Sequence, residues 1–386
     1  MRVLLVDGDP KSTKTLVSAL QDLDWEAQSA KSGKEALAVL ARGGVHVLIS
    51  EARLLDMDGA ELLGKVRESF PDIVRVVLTA DGSLETAVRA MAVAHQFLAK
   101  PCKAEIARDL VMRTQVVLRL MNQPELRALV GGITELPATP KMYTELTKVI
   151  NRKNSSIGDV AAVVERDAAM SAKALQLVNS SFFSKARTID TVQQAVNRLG
   201  IDMMKSLALV TGAFEGGKVR EPGLKRFLEE EQSHALAVGM AARQLCTDRR
   251  RGEQAFMSGV LHDIGKVVLR VGSPTLASDV RTAMKRAKQG ACQHDVETQV
   301  LGVSHAEVGA YLAGLWGLPF VVVEAIAQHH QPVRMTASDG MEAAVAVHIA
   351  DTLLKKRTLD SDLLADLGVE GDIADWRDRV GDLIEK

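Results

Sequence analysis

The sequence predicts two fold classes in succession: an α/β part built on a doubly wound, five-stranded parallel sheet, followed by an all-helical part. Two observations carry this. Up to about residue 120, short runs rich in branched residues (Val3 to Val6, Val45 to Ile49, Ile73 to Leu78, Gln96 to Ala99) alternate with segments of helical period such as Lys34 to Ala41, the pattern of successive βα units. Beyond that point come only helical segments, punctuated by Pro137, Pro140, Gly200, Gly265 and Pro319, with no convincing strand.

A chain of 386 residues is too long for one ordinary core, so two or three domains are expected. With 47% hydrophobic and 25% charged residues the composition is that of globular domains. A net charge of -1 provides no basic field for a polyanion, so no direct nucleic-acid binding is expected. Cys102, Cys246 and Cys292 are isolated and odd in number, which suits free thiols in a reducing compartment. The opening residues reach a carboxylate at Asp7 before a signal-peptide core could form, and no apolar run approaches the ~20 residues that span a bilayer. A cytoplasmic protein without a membrane segment is the expectation.

Between the two parts, Ala104 to Met121 reads as one long helix with Ile106, Leu110, Val117 and Met121 along one face. It is suited to connect the domains, and a homodimer through this helix or the first domain is one option. The expected boundaries are 1–120 for the α/β domain, 125–355 for the helical domain and 356–386 for a C-terminal helical extension. In that extension Ile373, Trp376, Val380 and Leu383 recur at helical spacing.

In a parallel α/β sheet, functional groups collect at the carboxyl ends of the strands. Here those ends carry Asp7 and Asp9 (first strand), Glu51 (third), Thr79 and Ala80 (fourth) and Lys100-Pro101 (fifth). The stretches VLLVDGDP, VLISEARLLDMDG, VVLTA and FLAKP closely resemble the response-regulator receiver family, with its flavodoxin-like fold. The resemblance implies that Asp7 is the first of the acids that bind Mg²⁺, Thr79 the hydroxyl that contacts the phosphoryl group, Lys100 the lysine that neutralises it and Phe97 the aromatic switch residue.

Two positions depart from the family pattern: Gly8 stands where the second acid belongs, and Glu51 where the phosphoacceptor aspartate belongs. Mg²⁺ requires near-ideal octahedral oxygen ligation, so losing a carboxylate at Gly8 lowers its affinity. The extra methylene of Glu51 moves its carboxylate about one bond length from the in-line position, a displacement worth ~100-fold in rate. Both changes argue against phosphorylation and against Mg²⁺ at this site, and the longer acid brings its charge within reach of Lys100. Mimicry of the active form, a structural Glu51–Lys100 pair, and replacement of the missing ligand by Asp9 stay open.

In the helical part, ITELPATP, LVNSSFFSKARTIDTVQQAVNRLG, LHDIGK and SHAEVGAYLAGLWGLP followed by a double histidine resemble the HDOD family of HD-related output domains, over Leu129 to Leu354. His234, His262, Asp263, His305, His329, His330 and Asp351 lie in the order that the wider HD and HD-GYP phosphohydrolases use for their metals. The resemblance therefore implies a candidate divalent-metal cluster, with Asp263 and Lys266 as catalytic residues if the domain is an enzyme. Ser304 and Glu307 form a capping-box pattern that places His305 in the first turn of a helix, and adjacent His329 and His330 should point ~100° apart. Against catalysis, HDOD proteins are regarded as lacking hydrolytic activity, and Gln331-Pro332 replaces the glutamate and Gly-Tyr-Pro signature of HD-GYP enzymes. Buried, hydrogen-bonded histidines retained for packing are the alternative, with every side chain satisfied and no open coordination position.

Three further segments receive structural readings. Arg249 to Arg251 read as a solvated loop. Met203, Met204, Leu207 and Leu209 read as helix core, and Glu229 to Glu231 as the first turn of the helix carrying His234. The expected function is a regulatory module of two-component type, in which an unphosphorylated receiver and a non-catalytic HDOD domain act on a sensor kinase or other signalling proteins. The alternatives are a metal-dependent phosphodiesterase acting on a cyclic dinucleotide, and an assembly scaffold.

Overall fold

The computed structural model describes the chain apart from residues 22–24, 81–89, 138–139, 153, 181–182, 184–187, 202, 205–206, 208–221, 289, 333–341, 368, 370–372 and 385–386. The chain forms two compact units. The first comprises Met1–Glu135 with Gln176–Thr188 and Tyr311–Gly317, and the second comprises Leu136–Leu175, Ile189–Ala310 and Leu318–Lys386. Leu209 of the expected helix core lies outside the described residues, whereas Met203, Met204 and Leu207 are buried.

The first unit holds five parallel strands, β1 (Arg2–Val6), β2 (Glu26–Ala30), β3 (Val47–Glu51), β4 (Val74–Thr79) and β5 (Gln96–Ala99), in the order β2-β1-β3-β4-β5. This is the expected doubly wound sheet. β4 is buried along its whole length and β1 from Val3 to Val6, which is why they appear as unbroken apolar runs. β2, at the edge, is mostly exposed and reads EAQSA, so it gives no such run. The chain turns from one side of β1 to the other between β2 and β3, and the switch-point crevice opens at the carboxyl ends of β1 and β3.

The helix after β5 spans Ala104–Arg119 and buries Ala107, Leu110, Val111, Thr114, Val117 and Leu118. Its buried stripe advances by three and four residues from Ala107, so Ile106, one position round the helix, is 42% exposed rather than part of the stripe. Arg75, in β4, is fully buried. Its guanidinium donates to the carbonyls of Val93, Ile73, Pro71 and Gly131, and burial draws its pKa down to about 9. Gly131 ends the helix Pro124–Gly131 so near the chain that a Cβ there would lie 2.1 Å from the Pro71 carbonyl oxygen.

The second unit is helical, with no strand among its described residues. Its core gathers Val238, Ala242 and Leu245 of helix Pro222–Leu245 with the buried face of helix Ala343–Leu354. Trp376 and Val380 of the terminal helix Ile373–Ile384 join them, as their spacing predicted. Two segments differ from expectation. Asp248 caps helix Arg249–Leu261 by accepting from the Arg251 amide, so Arg249 to Arg251 form a first helical turn rather than a loop. Helix Pro222–Leu245 starts seven residues before Glu229, which places Glu229 to Glu231 away from the positive helix end. Among the described residues, no helix is long and apolar enough to cross a membrane.

Glycines let the site-bearing helices meet closely. A Cβ on Gly259 would lie 2.6 Å from Gly239 Cα, where helix Arg249–Leu261 crosses helix Pro222–Leu245. Gly265 is no breaker. It sits inside helix Ile264–Gly272, where a Cβ would lie 1.9 Å from the His305 carbonyl oxygen of helix His305–Leu315. Helix propensity favours alanine by roughly 1 kcal/mol at both Gly265 and Gly381, so local packing decides the outcome. Gly265→Ala should lower unfolding stability by about 1–3 kcal/mol through that backbone clash, whereas Gly381→Ala, with nothing within 4 Å, should raise it by about 0.5–1 kcal/mol. Urea titration of both variants checks this, and equal midpoints would contradict it.

Candidate functional site

In the first unit, Asp7 follows β1, Glu51 ends β3, Thr79 ends β4 and Lys100 follows β5, so the carboxyl edge of the sheet carries all four. The Lys100 ammonium lies between two carboxylates, 2.6 Å from Glu51 Oε1 and 2.8 Å from Asp7 Oδ2. The expected approach of Lys100 to Glu51 is a direct hydrogen bond, and Asp7 is a second partner that the sequence did not disclose. Asp9 is exposed and acts on Asp7 through its backbone, its amide donating to Asp7 Oδ1 at 2.9 Å. Thr79 and Phe97 are buried.

Burial pushes the Glu51 carboxyl above its ordinary pKa; the hydrogen bond from Lys100 works against this and nearby Asp7 adds to it. Burial alone would depress Lys100, but its hydrogen bonds to Asp7 and Glu51 outweigh that and hold the ammonium above its usual value. One cation thus serves two acids.

In the second unit the seven predicted histidines and aspartates come together. His234 projects from helix Pro222–Leu245, and His262 with Asp263 occupies the junction between helices Arg249–Leu261 and Ile264–Gly272. His305 opens helix His305–Leu315, with Ser304 and Glu307 exchanging the hydrogen bonds of the expected capping box. His329 caps the end of helix Phe320–Gln328, and Asp351 lies on helix Ala343–Leu354. The rings of His329 and His330 are 4.1 Å apart, and both residues join His305 in one donor group.

The imidazoles are oriented from outside the cluster. His262 Nδ1 donates to the Gly259 carbonyl at 2.6 Å and His329 Nδ1 to the Ile326 carbonyl at 2.8 Å, each one turn back along its own helix. His305 Nδ1 pairs with Glu297, a buried carboxylate that also accepts from the His305 amide at 2.7 Å. Each arrangement turns Nε2 inward. His234 Nε2 meets Asp351 Oδ1 at 2.8 Å, and Lys355 Nζ meets Asp351 Oδ2 at 2.8 Å. Lys266 Nζ bonds to Asp263 Oδ2 and lies 3.7 Å from Glu231.

The inward atoms meet one another: His262 Nε2 lies 3.1 Å from Asp263 Oδ2 and His305 Nε2 lies 3.0 Å from Asp263 Oδ1, and His262, Asp263 and His329 offer donor atoms within 4.8 Å of one another. Two imidazole nitrogens and a carboxylate oxygen, with their far sides fixed by carbonyls, suit a transition-metal ion. The residues therefore fit a divalent metal. Burial would raise the carboxyl of Asp263, but His262 and Lys266 hold it well below its ordinary value, and His234 and His262 do the same for Asp351. Asp263 and Asp351 overcome the burial of His262 and push it up to about 9, whereas burial draws His329 down to about 4. A metal would displace the proton that the aspartates hold on His262.

Sequence reasoning missed Glu297, Lys355 and His294, whose ring lies 4.8 Å from that of His330. Lys355 stands four residues after Asp351 on one helix and was legible as an (i, i+4) pair. Glu297 and His294 reach the cluster by tertiary packing alone.

Comparison with known proteins follows the same division. The family model for the HDOD domain matches residues 136–332, and that for the response regulator receiver domain matches residues 3–111. An uncharacterized protein of Treponema pallidum is 26% identical over 199 residues, 51% of this chain and 38% of its own length. The response regulator protein FleR of Pseudomonas aeruginosa is 36% identical over 157 residues, 40% of this chain and 32% of its own. The chain thus spans well under half the length of these curated relatives. The crystal structure of the MmoQ response regulator from Methylococcus capsulatus aligns over 65% of this chain and 98% of that one, with 19% identity and a TM-score of 0.49. Half of the sequence matches the HDOD model, and the chain belongs to the HDOD family as a signal-transduction protein with a response regulator receiver domain ahead of its HDOD domain.

Proposed function

We propose that this chain is an atypical response regulator whose receiver works without phosphorylation and whose HDOD domain is a non-catalytic, protein-binding output. The observation that carries the reading is the Lys100 ammonium held between Glu51 and Asp7. In a phosphorylatable receiver that lysine is to neutralise the incoming phosphoryl group and Asp7 is to bind Mg²⁺. Here the two meet each other, and Lys100 also meets Glu51, whose carboxylate supplies the charge that a phosphoryl group would bring. Partners of this output are signalling proteins, a sensor kinase among them. Exposed Ile106, Met112 and Val116 on helix Ala104–Arg119 support self-association through that helix.

The convergence of His262, Asp263 and His329 donor atoms in the HDOD cluster favours a second reading, a metal-dependent phosphodiesterase acting on a cyclic dinucleotide. His262, His329 and Asp263 would hold the ion, with His305 and His330 beside them, and the ion would supply a Lewis acid and a hydroxide at neutral pH. Lys266, the remaining candidate for chemistry, is pinned by Asp263 and faces Glu231, which suits a residue that positions the aspartate. Metal retention without turnover is the reading adopted.

Three outcomes are expected. Acetyl phosphate with Mg²⁺ should leave no phosphoryl group on the receiver by intact mass; stoichiometric labelling that Glu51→Ala abolishes would sink the proposal.

Lys100→Met should cost about 1–3 kcal/mol at pH 7, less than for a fully buried pair because Glu51 and Lys100 are partly exposed. A carboxyl raised in the folded state favours folding below its unfolded pKa and loses that contribution as pH rises through its folded value. The Glu51 carboxyl is raised and would rise further without Lys100, so the deficit of the variant should shrink as pH falls towards its ordinary carboxylate range. Denaturant titrations across that range check this, and a deficit independent of pH would refute it.

Purified chain with Mn²⁺ should not hydrolyse cyclic di-GMP. Many turnovers, stopped by Asp263→Asn in a protein that stays folded, would replace the regulatory reading with the enzymatic one.

A further inference from the structure

We infer that the HDOD cluster takes one divalent cation rather than a pair, because the ammonium of Lys355 stands in for the second ion. The inference rests on the reading above that the cluster holds a metal, and it concerns how many ions it admits. Three donor groups are available, His262–Asp263–His329, His305–His329–His330 and His234–His262–Asp351. The first two share His329, whose Nδ1 is bound to the Ile326 carbonyl, so they amount to one place for an ion and the choice lies between that place and the group at Asp351. His262–Asp263–His329 and His234–His262–Asp351 in turn share His262, whose Nδ1 is bound to the Gly259 carbonyl, so its single remaining nitrogen, Nε2, can serve only one ion.

The two groups differ in what already occupies their donor atoms. In the first, His262 Nε2 lies 3.1 Å from Asp263 Oδ2 and His329 Nε2 lies 3.6 Å from Asp263 Oδ1, so the donor atoms face one another around one carboxylate. Lys266 engages only Asp263 Oδ2 and leaves the other oxygen turned to the imidazoles, with His305 Nε2 3.0 Å from it. In the second, every other donor is taken. His234 Nε2 bonds to Asp351 Oδ1 at 2.8 Å, and Lys355 Nζ bonds to Asp351 Oδ2 at 2.8 Å. His262 Nε2 is 3.7 Å from Asp351 Oδ1, and with one nitrogen to offer it cannot complete that group while it serves the first.

The Lys355 contact is built into the helix. Asp351 and Lys355 are an (i, i+4) pair, and Lys355 is the C-cap of Ala343–Leu354, where the helix dipole favours a cation. A dication bound at Asp351 would meet this ammonium across one carboxylate, at a distance where like charges repel strongly in a partly buried site. The charge that a second metal would supply is already present on the chain.

The test is equilibrium dialysis of the full chain against Mn²⁺, with metal content by mass spectrometry and the spin state of the ion by electron paramagnetic resonance. The unaltered chain should hold one magnetically isolated Mn²⁺. Lys355→Met keeps the aliphatic stem and removes the charge, and it should acquire a second ion that couples to the first, bound at least ~10-fold more tightly than any second ion on the unaltered chain. Lys355→Arg keeps the charge and should stay at one. Two coupled ions on the unaltered chain would overturn the inference and leave the metal reading standing; no tightly held ion would overturn the metal reading itself. A single ion on a folded Lys355→Met chain would show that Lys355 does not set the number. If that variant fails to fold, the unaltered and Lys355→Arg chains still decide between one ion and two.

Discussion

A carboxylate taken out of water costs several kcal/mol unless cations and hydrogen-bond donors meet it, and both functional regions of this chain are organised around that requirement. Asp263 is fully buried among His262, His305, His329 and Lys266. Asp7, whose side chain has no exposure, depends on Lys100 and on the Asp9 amide. In each case the acid fixes where the neighbouring cations sit, and they in turn fix what else the site can accept.

The same requirement explains why the glycines matter. His262 and Asp263 can reach the other ligand-bearing helices only if helix Arg249–Leu261 approaches Pro222–Leu245 at Gly239 and Gly259, and if Ile264–Gly272 approaches His305–Leu315 at Gly265. Close backbone approach brings imidazoles from different helices within contact of one aspartate. Carbonyls one turn back then take the Nδ1 protons, which turns Nε2 inward. Several Nε2 atoms and the Asp263 carboxylate therefore converge in one buried place. Arg75 is the converse case, a buried cation that uses four carbonyls in place of an acid.

Much of this was legible in the sequence where periodicity or order carried it. The βα alternation placed four strands, because buried central strands read as apolar runs; exposed β2 had no run to read. The strand-end rule brought Glu51 and Lys100 together, and Ser304 with Glu307 placed the start of the helix carrying His305. Helix starts set by a local cap or proline were harder, as the displaced readings of Arg249 to Arg251 and of Glu229 to Glu231 show. Groups recruited by tertiary packing were not legible. Glu297 lies eight residues before His305 on a different helix, and no local pattern announces that it fixes that ring.

The contrast between the two regions bears on how such a chain could carry a signal. In the receiver, Glu51 closes the charge balance internally: Lys100 meets both acids at hydrogen-bond distance, which leaves little for an added phosphoryl group or Mg²⁺ to stabilise. In the HDOD cluster the neighbours of Asp351 are Lys355 and His234, whereas Asp263 Oδ1 faces imidazoles alone, 3.0 Å from His305 and 3.6 Å from His329. An ion that binds only the assembled cluster stabilises that arrangement over any in which the helices separate, by an amount set by its concentration relative to its dissociation constant. Its donors come from three helical segments, those ending at Leu261, beginning at Ile264 and ending at Gln328, so occupancy would tie those segments together without any chemical step. Under the proposed reading the receiver would be held in one charge state by its own residues, and the variable input to the chain would lie in what the helical unit binds.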